Sequence, residues 1–240
     1  MTQQQFSGKV VLIAGGAGGL GRAVSLAFLG EGAKVVIPYR RQSEMDTLAR
    51  LAGDAAASLE GHAVDLSDGS NVASLIQGVL AGHSRLDVLV NTVGAWAGGA
   101  RFWQADAAEF DRMLNLNLRT GYALLRAALP PMLKLGSGAI VNVASRAAVD
   151  HAGSAAGYVA SKAAAVAMID SLAADLKGTG VRANSILPGI IDTEANRQAM
   201  PTADFSTWPK PEAIARVILF LCSEEASLIN GAAIPVYGDA

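Results

Sequence analysis

Cysteine is almost absent: the chain of 240 residues has one, Cys222, so no intramolecular disulfide can form. There are only three histidines, and no Cys/His spacing offers the ligand set of a structural zinc site. Charge of either sign is sparse and never runs in blocks. Lys and Arg number 19 against 21 Asp and Glu, a net charge of -2, so no basic field exists to hold a nucleic-acid backbone. Long apolar runs are missing too. The run from Ala163 to Ile169 meets a charge at Asp170, far short of the roughly 20 residues that cross a bilayer. Met1 to Gly8 has neither the basic start nor the apolar centre of a signal peptide. The expectation is a soluble, cytoplasmic protein without a metal site, membrane contact or nucleic-acid partner.

What the chain does have is a hydrophobic fraction of 51%. At this length roughly 70% of the unfolded surface is buried on folding, enough for one core without staples. Seven short runs rich in Val, Ile and Leu read as strands: Val10–Ala14, Lys34–Tyr39, His62–Leu66, Leu86–Asn91, Ala139–Ala144, Arg182–Leu187 and Ala232–Val236. Between them, Leu20–Gly30, Val72–Leu80, Phe110–Leu129, Val159–Leu176 and Glu212–Leu221 have helical spacing. Strands that are apolar throughout are buried on both faces. Their alternation with helices predicts a doubly wound α/β fold, a seven-stranded parallel sheet flanked by helices. The Pro-rich stretch Pro201–Pro211 is too short for a second domain, so residues 1–240 are read as one domain. In such a sheet, ligands lie outside the carboxyl ends of the strands.

The first strand runs into Ala14-Gly15-Gly16-Ala17-Gly18-Gly19-Leu20-Gly21 and then a helix. A loop without Cβ atoms can bring backbone N–H groups against a pyrophosphate at a helix N-terminus; it can also be a tight turn with no ligand. The second strand ends in Pro38-Tyr39-Arg40-Arg41, where NAD-binding folds place a carboxylate on the ribose hydroxyls. An arginine there can pair with a 2'-phosphate instead, so NADP(H) is expected over NAD(H), with Arg40 the main contact and Arg41 assisting; a solvated basic pair is the plain alternative. Asp65-Leu66 closes the third run, and Asn91, Val93 and Gly94 follow the fourth. In isolation these are ordinary turn residues.

Tyr158 and Lys162 stand four residues apart at the start of an Ala-rich helix, on one face with Cβ atoms about 5 to 6 Å apart. A phenol has a reference pKa of about 10, and a proton donor near neutrality needs it lowered by about three units, about 4 kcal/mol. A unit charge at 4 Å in an effective dielectric of about 20 supplies energy of that order, so Lys162 is expected to lower the Tyr158 pKa nearly enough alone, with an oxidised nicotinamide adding to it. Ser145 follows the fifth strand, and Asn117 interrupts a helical stretch where an asparagine competes with the backbone for hydrogen bonds.

The glycine spacing, Asp65, Asn91 to Gly94, Asn117, Ser145, Tyr158, Lys162 and Pro188-Gly189 with Thr193 together resemble the short-chain dehydrogenase/reductases, in order and spacing over nearly the whole chain. Ala14 stands where that family usually has threonine. The resemblance implies hydride transfer between a nicotinamide and a carbonyl or alcohol, with Tyr158 as acid or base and Ser145 on the same substrate oxygen. Lys162 would also hold the ribose, Asn117 would support a water next to Lys162, and Pro188, Gly189, Ile191 and Thr193 would hold the carboxamide. It also implies a homo-oligomer, dimer or tetramer, built through the helices around Phe110–Leu129 and Val159–Leu176.

Val93-Gly94-Ala95-Trp96-Ala97-Gly98-Gly99 and the stretch from Leu187 to Trp208 are locally similar to dihydropteridine reductases. That likeness implies a planar quinonoid substrate against Trp96. His151 lies in sequence between Ser145 and Tyr158, where it could reach substrate, with a surface role as the alternative. Those enzymes carry an acid after the second strand and lack the serine, whereas this chain has Arg40 and Ser145. A carbonyl substrate, a planar quinonoid one and a non-catalytic NADPH-binding sensor are therefore the three readings.

Overall fold

The computed structural model describes residues 4–239. Seven strands form one parallel sheet: β1 (Val10–Ala14), β2 (Lys34–Tyr39), β3 (Leu59–Ala63), β4 (Val88–Asn91), β5 (Gly138–Val143), β6 (Val181–Pro188) and β7 (Ala233–Val236), in the order β3-β2-β1-β4-β5-β6-β7. Every residue of β1 is buried. It lies between β2 and β4, with Val11 opposite Val35 on one side and Leu12 opposite Leu89 on the other. A central strand covered on both faces can use no polar side chain, which is why Val-Val-Leu-Ile-Ala reads without alternation.

The helices are α1 (Gly19–Gly30), α2 (Gln42–Ala52), α3 (Gly69–His83), α4 (Ala107–Leu114), α5 (Thr120–Leu135), α6 (Ala156–Asp175), α7 (Glu194–Ala199) and α8 (Pro211–Cys222). Alternate side chains of each strand enter separate cores. Val11, Ile13, Val35, Val90 and Ile186 meet Phe28 of α1 and Ile218 of α8 on one face. Leu12, Val36, Leu89 and Ile140 meet Val79 of α3, Leu124 of α5 and Ile169 of α6 on the other. Each fully buried aliphatic side chain in these layers is worth about 1.5 to 3 kcal/mol against exposure.

The third strand is the main correction to the sequence reading: it ends at Ala63 and not at Leu66. β3 is the edge strand, its residues half-buried or exposed, so Leu-Glu-Gly-His-Ala carries little β signal, while the apolar Val64 and Leu66 that follow continue past the sheet. Glu60 pins this edge, its two carboxylate oxygens 2.6 Å from His62 Nε2 and 2.8 Å from His83 Nε2 at the end of α3. The stretch read as one helix from Phe110 to Leu129 begins at Ala107 and is broken by a π-helical segment, Asn115–Arg119, before continuing to Leu135. The helix expected from Val159 starts at Ala156, which puts Tyr158 inside its first turn. α2 has no counterpart in the sequence reading, because its buried residues are only Met45 and Leu48.

Candidate functional site

β1 sends its chain toward β2, and β4 lies on its other side. A crevice opens between their carboxyl ends, and the glycine loop with the residues flagged after β2, β3 and β4 lines it, Asn91 excepted. Gly15 leaves β1 with φ +78, a conformation that disfavours side chains, and a Cβ there would lie 2.6 Å from Thr92 Oγ1. Gly21 has no room for a Cβ, which would run into the Gly15 carbonyl oxygen. The loop closes on itself through Gly18 N–H to Gly15 O at 3.0 Å, and Thr92 braces it by donating from Oγ1 to Ala14 O at 2.8 Å.

Gly15, Gly18, Gly19, Leu20 and Gly21 line a cleft of about 610 Å³ together with Tyr39, Arg40, Arg41, Asp65, Leu66, Val93 and Gly94. α1 begins at Gly19 with no side-chain cap on its first N–H groups, so an anion in the cleft would meet free backbone donors at a helix N-terminus. The cradle fits a dinucleotide pyrophosphate.

At the far end of the cleft the two arginines differ. Arg41 is ion-paired with Glu44, which raises its pKa. Arg40 is exposed and, among the described residues, makes no hydrogen bond or ion pair. Asp65 is exposed beside it, its carboxyl held below the usual carboxylate range chiefly by the Ser67 N–H, at 2.9 Å, and less by the Arg40 charge. Tyr39 donates from its hydroxyl to Gln42 Oε1 at 2.6 Å. Asn91 does not line the cleft: it is buried, donating to Asn142 Oδ1 at 3.0 Å and accepting from Val93 N at 3.2 Å. It shapes the wall from behind.

The π-helical turn explains Asn117. An extra residue in the turn brings its amide inward, as π-bulges do at functional sites. Its Oδ1 accepts from Ala95 N at 2.8 Å, and its Nδ2 reaches Ala95 O and Ser161 Oγ, each at 3.0 Å. Asn117 thereby ties the loop after β4 to α6, one residue before Lys162. The Lys162 ammonium is buried and donates to Val143 O at 3.1 Å. Burial pushes its pKa down to about 8.

Ser145 caps the turn Arg146–Ala148, its Oγ accepting from Ala147 N at 3.1 Å, and its hydroxyl is near enough to the Tyr158 phenol to act on its ionisation. The phenol is half-buried and its pKa is raised, mainly by burial, with the nearby Ser145 hydroxyl acting the other way. That reverses the expectation of a Lys162-lowered phenol: the ammonium is not among the causes of the shift. Lys162 lies instead beside Gly94, where a Cβ would come within 3.0 Å of its Nζ.

The two residues expected on the substrate side are both exposed. Trp96 is 66% exposed, and His151 is exposed with Nε2 3.1 Å from Ala148 O. Pro188 ends β6, and Gly189 packs on the Tyr237 backbone. Thr193 caps α7, accepting from Asn196 N at 3.3 Å, and its methyl group faces Gly19. Asn196 Nδ2 donates to Ile191 O at 2.8 Å, and Asp192 receives two bonds from Arg197, at 2.5 and 2.9 Å. Sequence reasoning missed Thr92, Leu116 and Thr120, which also line the cleft, and the Ser161 contact to Asn117. The Asn-Leu-Asn-Leu signal was visible, but its break in helical phase was not.

Cys222 is buried, its thiol pushed up to about 12 by burial, so it is no nucleophile. Among the described residues no His/Cys/Asp/Glu group could hold a metal, and no helix is long and apolar enough to cross a membrane.

Comparison with known proteins agrees with this geometry. The family described as short chain dehydrogenase matches residues 9–204. The chain is 31% identical to 3-oxoacyl-(acyl-carrier-protein) reductase FabG of Thermotoga maritima, over 98% of both chains. It is 33% identical to D-threitol dehydrogenase of Mycolicibacterium smegmatis, over 98% of this chain and 93% of that one. A solved structure described as ElxO with NADP bound superposes with a TM-score of 0.90 at 27% identity, covering 96% of this chain and 97% of the other.

Proposed function

Because this chain belongs to the short-chain dehydrogenase/reductase family and is an NAD(P)-dependent oxidoreductase, we propose that it interconverts a small carbonyl compound and its alcohol with NADP(H), using Tyr158 as acid and base. A nicotinamide dinucleotide bound along the cleft would supply or accept the hydride. Gly15, Gly18, Gly19, Leu20 and Gly21 would receive its pyrophosphate, and Arg40 its 2'-phosphate. Val93, Gly94 and Lys162 would line the ribose, and Pro188, Gly189, Ile191 and Thr193 the carboxamide.

The observation that carries this reading is the Ser145 hydroxyl, held by Ala147 N, beside a half-buried Tyr158 phenol. A carbonyl oxygen placed between those two hydroxyls receives two hydrogen bonds, an oxyanion-type stabilisation that grows as negative charge develops. Tyr158 then gives its proton to that oxygen in reduction, or takes one in oxidation. A phenol raised by burial holds its proton through neutral pH, which suits the reducing direction. Lys162, which donates to Val143 O one residue after the Ser161 that bonds Asn117, would hold the ribose of the bound cofactor and keep an ammonium near the phenol. Tyr158→Phe removes the acid while keeping the ring, with an expected loss of at least about a hundredfold in kcat and little change in NADPH affinity. The assay follows NADPH absorbance with simple ketones, vicinal diketones, quinones and a quinonoid dihydropterin.

Reduction of the dihydropterin alone would favour the planar-substrate reading suggested by Trp96. Tight NADPH binding with no substrate reduced would favour a sensor. A homo-oligomer, dimer or tetramer, is part of the proposal: Phe110 is 38% and Tyr122 55% exposed on α4 and α5, and light scattering reads its size.

A further inference from the structure

The chain after β7 reaches the turn that Ser145 caps. The Tyr237 side chain packs against the small cluster of Ala144, Ala148 and Leu187. The Arg146 guanidinium carbon stands 5.0 Å from the centroid of its ring, within range of a cation–π attraction. Arg146 is the residue after Ser145 and opens the turn that Ser145 caps. Its Nε also donates to Asp150 Oδ2 at 3.2 Å, so the serine turn is held both from within and from the residue that follows β7. On the other flank, Gly189 packs on the Tyr237 backbone, and Gly238 packs on Thr207 and Pro209. The Pro209 carbonyl in turn takes the Asp192 N–H at 3.0 Å. One residue therefore touches the serine turn and the Pro188-Gly189 segment, with the cover around Phe205–Trp208 against its neighbour.

From this convergence we propose that Tyr237 is a positioning residue that fixes Ser145 through Arg146. The inference rests on the reading of Ser145 and Tyr158 as the catalytic pair. Ser145 Oγ has to accept from Ala147 N and still meet the phenol and the substrate oxygen. An O–H···O bond is made only at about 2.5 to 3.0 Å, and a misplacement of about 1 Å costs on the order of a hundredfold in rate. An aromatic face attracts the guanidinium that leads the turn; an aliphatic side chain of similar size fills the space without that hold.

The test uses the full chain, NADPH, and the carbonyl compound of the panel that is reduced fastest. Tyr237→Leu is expected to lower kcat about tenfold with unchanged NADPH affinity by fluorescence, while Tyr237→Phe, which keeps the ring face, restores the rate. Placed in a Ser145→Ala background, Tyr237→Leu should lower kcat no further. A full rate in Tyr237→Leu overturns the inference, and so does the same tenfold loss in the Ser145→Ala background, the mark of a merely structural role. If Tyr237→Leu does not fold, Arg146→Met makes the same comparison from the other partner, with the same two outcomes. A wild-type rate in Ser145→Ala, or no reduction of the panel by the wild type, refutes the catalytic reading and this inference with it. Loss in Ser145→Ala but not in the Tyr237 or Arg146 variants refutes this inference alone.

Discussion

The buried ammonium of Lys162 should destabilise the cofactor-free protein at neutral pH. Burial moves its pKa from 10.5 to about 8, a differential free energy of about 3 kcal/mol against the charged form. Lys162→Met removes that charge at similar length. It also loses the bond to Val143 O, worth about 1 kcal/mol, so the variant should be more stable at pH 7 by about 2 kcal/mol. With a urea m-value of roughly 3 kcal/mol/M, the midpoint rises by about 0.7 M. The sign of the pH dependence follows from proton counting. Between about pH 8 and 10.5 the folded protein binds fewer protons at this site than the unfolded chain, so wild-type stability gains on the variant as pH rises. The penalty is fully present below the folded value and gone above the unfolded one. Urea titrations of both cofactor-free proteins at pH 7 and 9.5 should show the gap narrowing. A variant no more stable than wild type at pH 7, or a gap independent of pH, would mean that the ammonium does not bear this cost, and that its surroundings solvate it far better than one carbonyl does. The same substitution should abolish turnover, stability and function being opposed at this position.

Two further substitutions probe the cleft. Arg40→Asp should lower kcat/KM with NADPH at least about tenfold, since hydrogen bonds to a charged group are worth about 1.5 to 3 kcal/mol, and should raise it with NADH. Arg41→Ala should change the ratio little because its guanidinium is already paired with Glu44; kcat/KM with both cofactors checks the pair, and an unchanged preference in Arg40→Asp defeats the assignment. Gly21→Ala drives a Cβ into the Gly15 carbonyl, whereas Gly18→Ala places one at an ordinary 3.4 Å from the same oxygen. NADPH fluorescence should therefore be lost with the first and largely kept with the second, and equal binding by both would show that the loop yields.

The sheet was legible where its strands are covered on both faces. β1 needs five buried positions, and burial leaves it no choice but an unbroken apolar run. β3 was misplaced because an edge strand has no such constraint: its side chains are half-exposed, its stability comes from pairing with β2, and Glu60 and His62 serve it through a side-chain bond that no periodicity reveals. α2 escaped for the same reason, with a single narrow apolar stripe at Met45 and Leu48. The helix around Asn117 was legible as a helix but not as a broken one. The identity of an asparagine shows that something must satisfy it, and not which turn of the backbone gives way.

The residues at the site divide along a similar line. Gly15, Gly21 and Asn117 stood out in the sequence as residue types that their local structure would not otherwise choose, glycine where a side chain would collide and an amide inside a helix, whereas Ser145, Tyr158 and Lys162 stood out only by their order and spacing. What could not be read was the balance among them. Spacing alone puts Lys162 one turn from Tyr158 and makes a Coulombic lowering of the phenol the natural inference. In the folded protein the ammonium turns to the Val143 carbonyl, and burial acts on both groups in opposite directions, the phenol upward and the ammonium downward. Both shifts favour neutral forms, a phenol that keeps its proton and an amine that gives one up more readily. Ser145 opposes only part of this. A pair disposed in that way is poised for a charge to arrive from outside it: an oxidised nicotinamide ring near the phenol would pull its pKa down by the same Coulombic reasoning that Lys162 fails to satisfy alone. It follows that the phenol should titrate lower with NADP bound than in the free protein. If its ionisation, followed by ultraviolet difference absorbance against Tyr158→Phe, is unmoved by the cofactor, the acid–base role has to be assigned to another group.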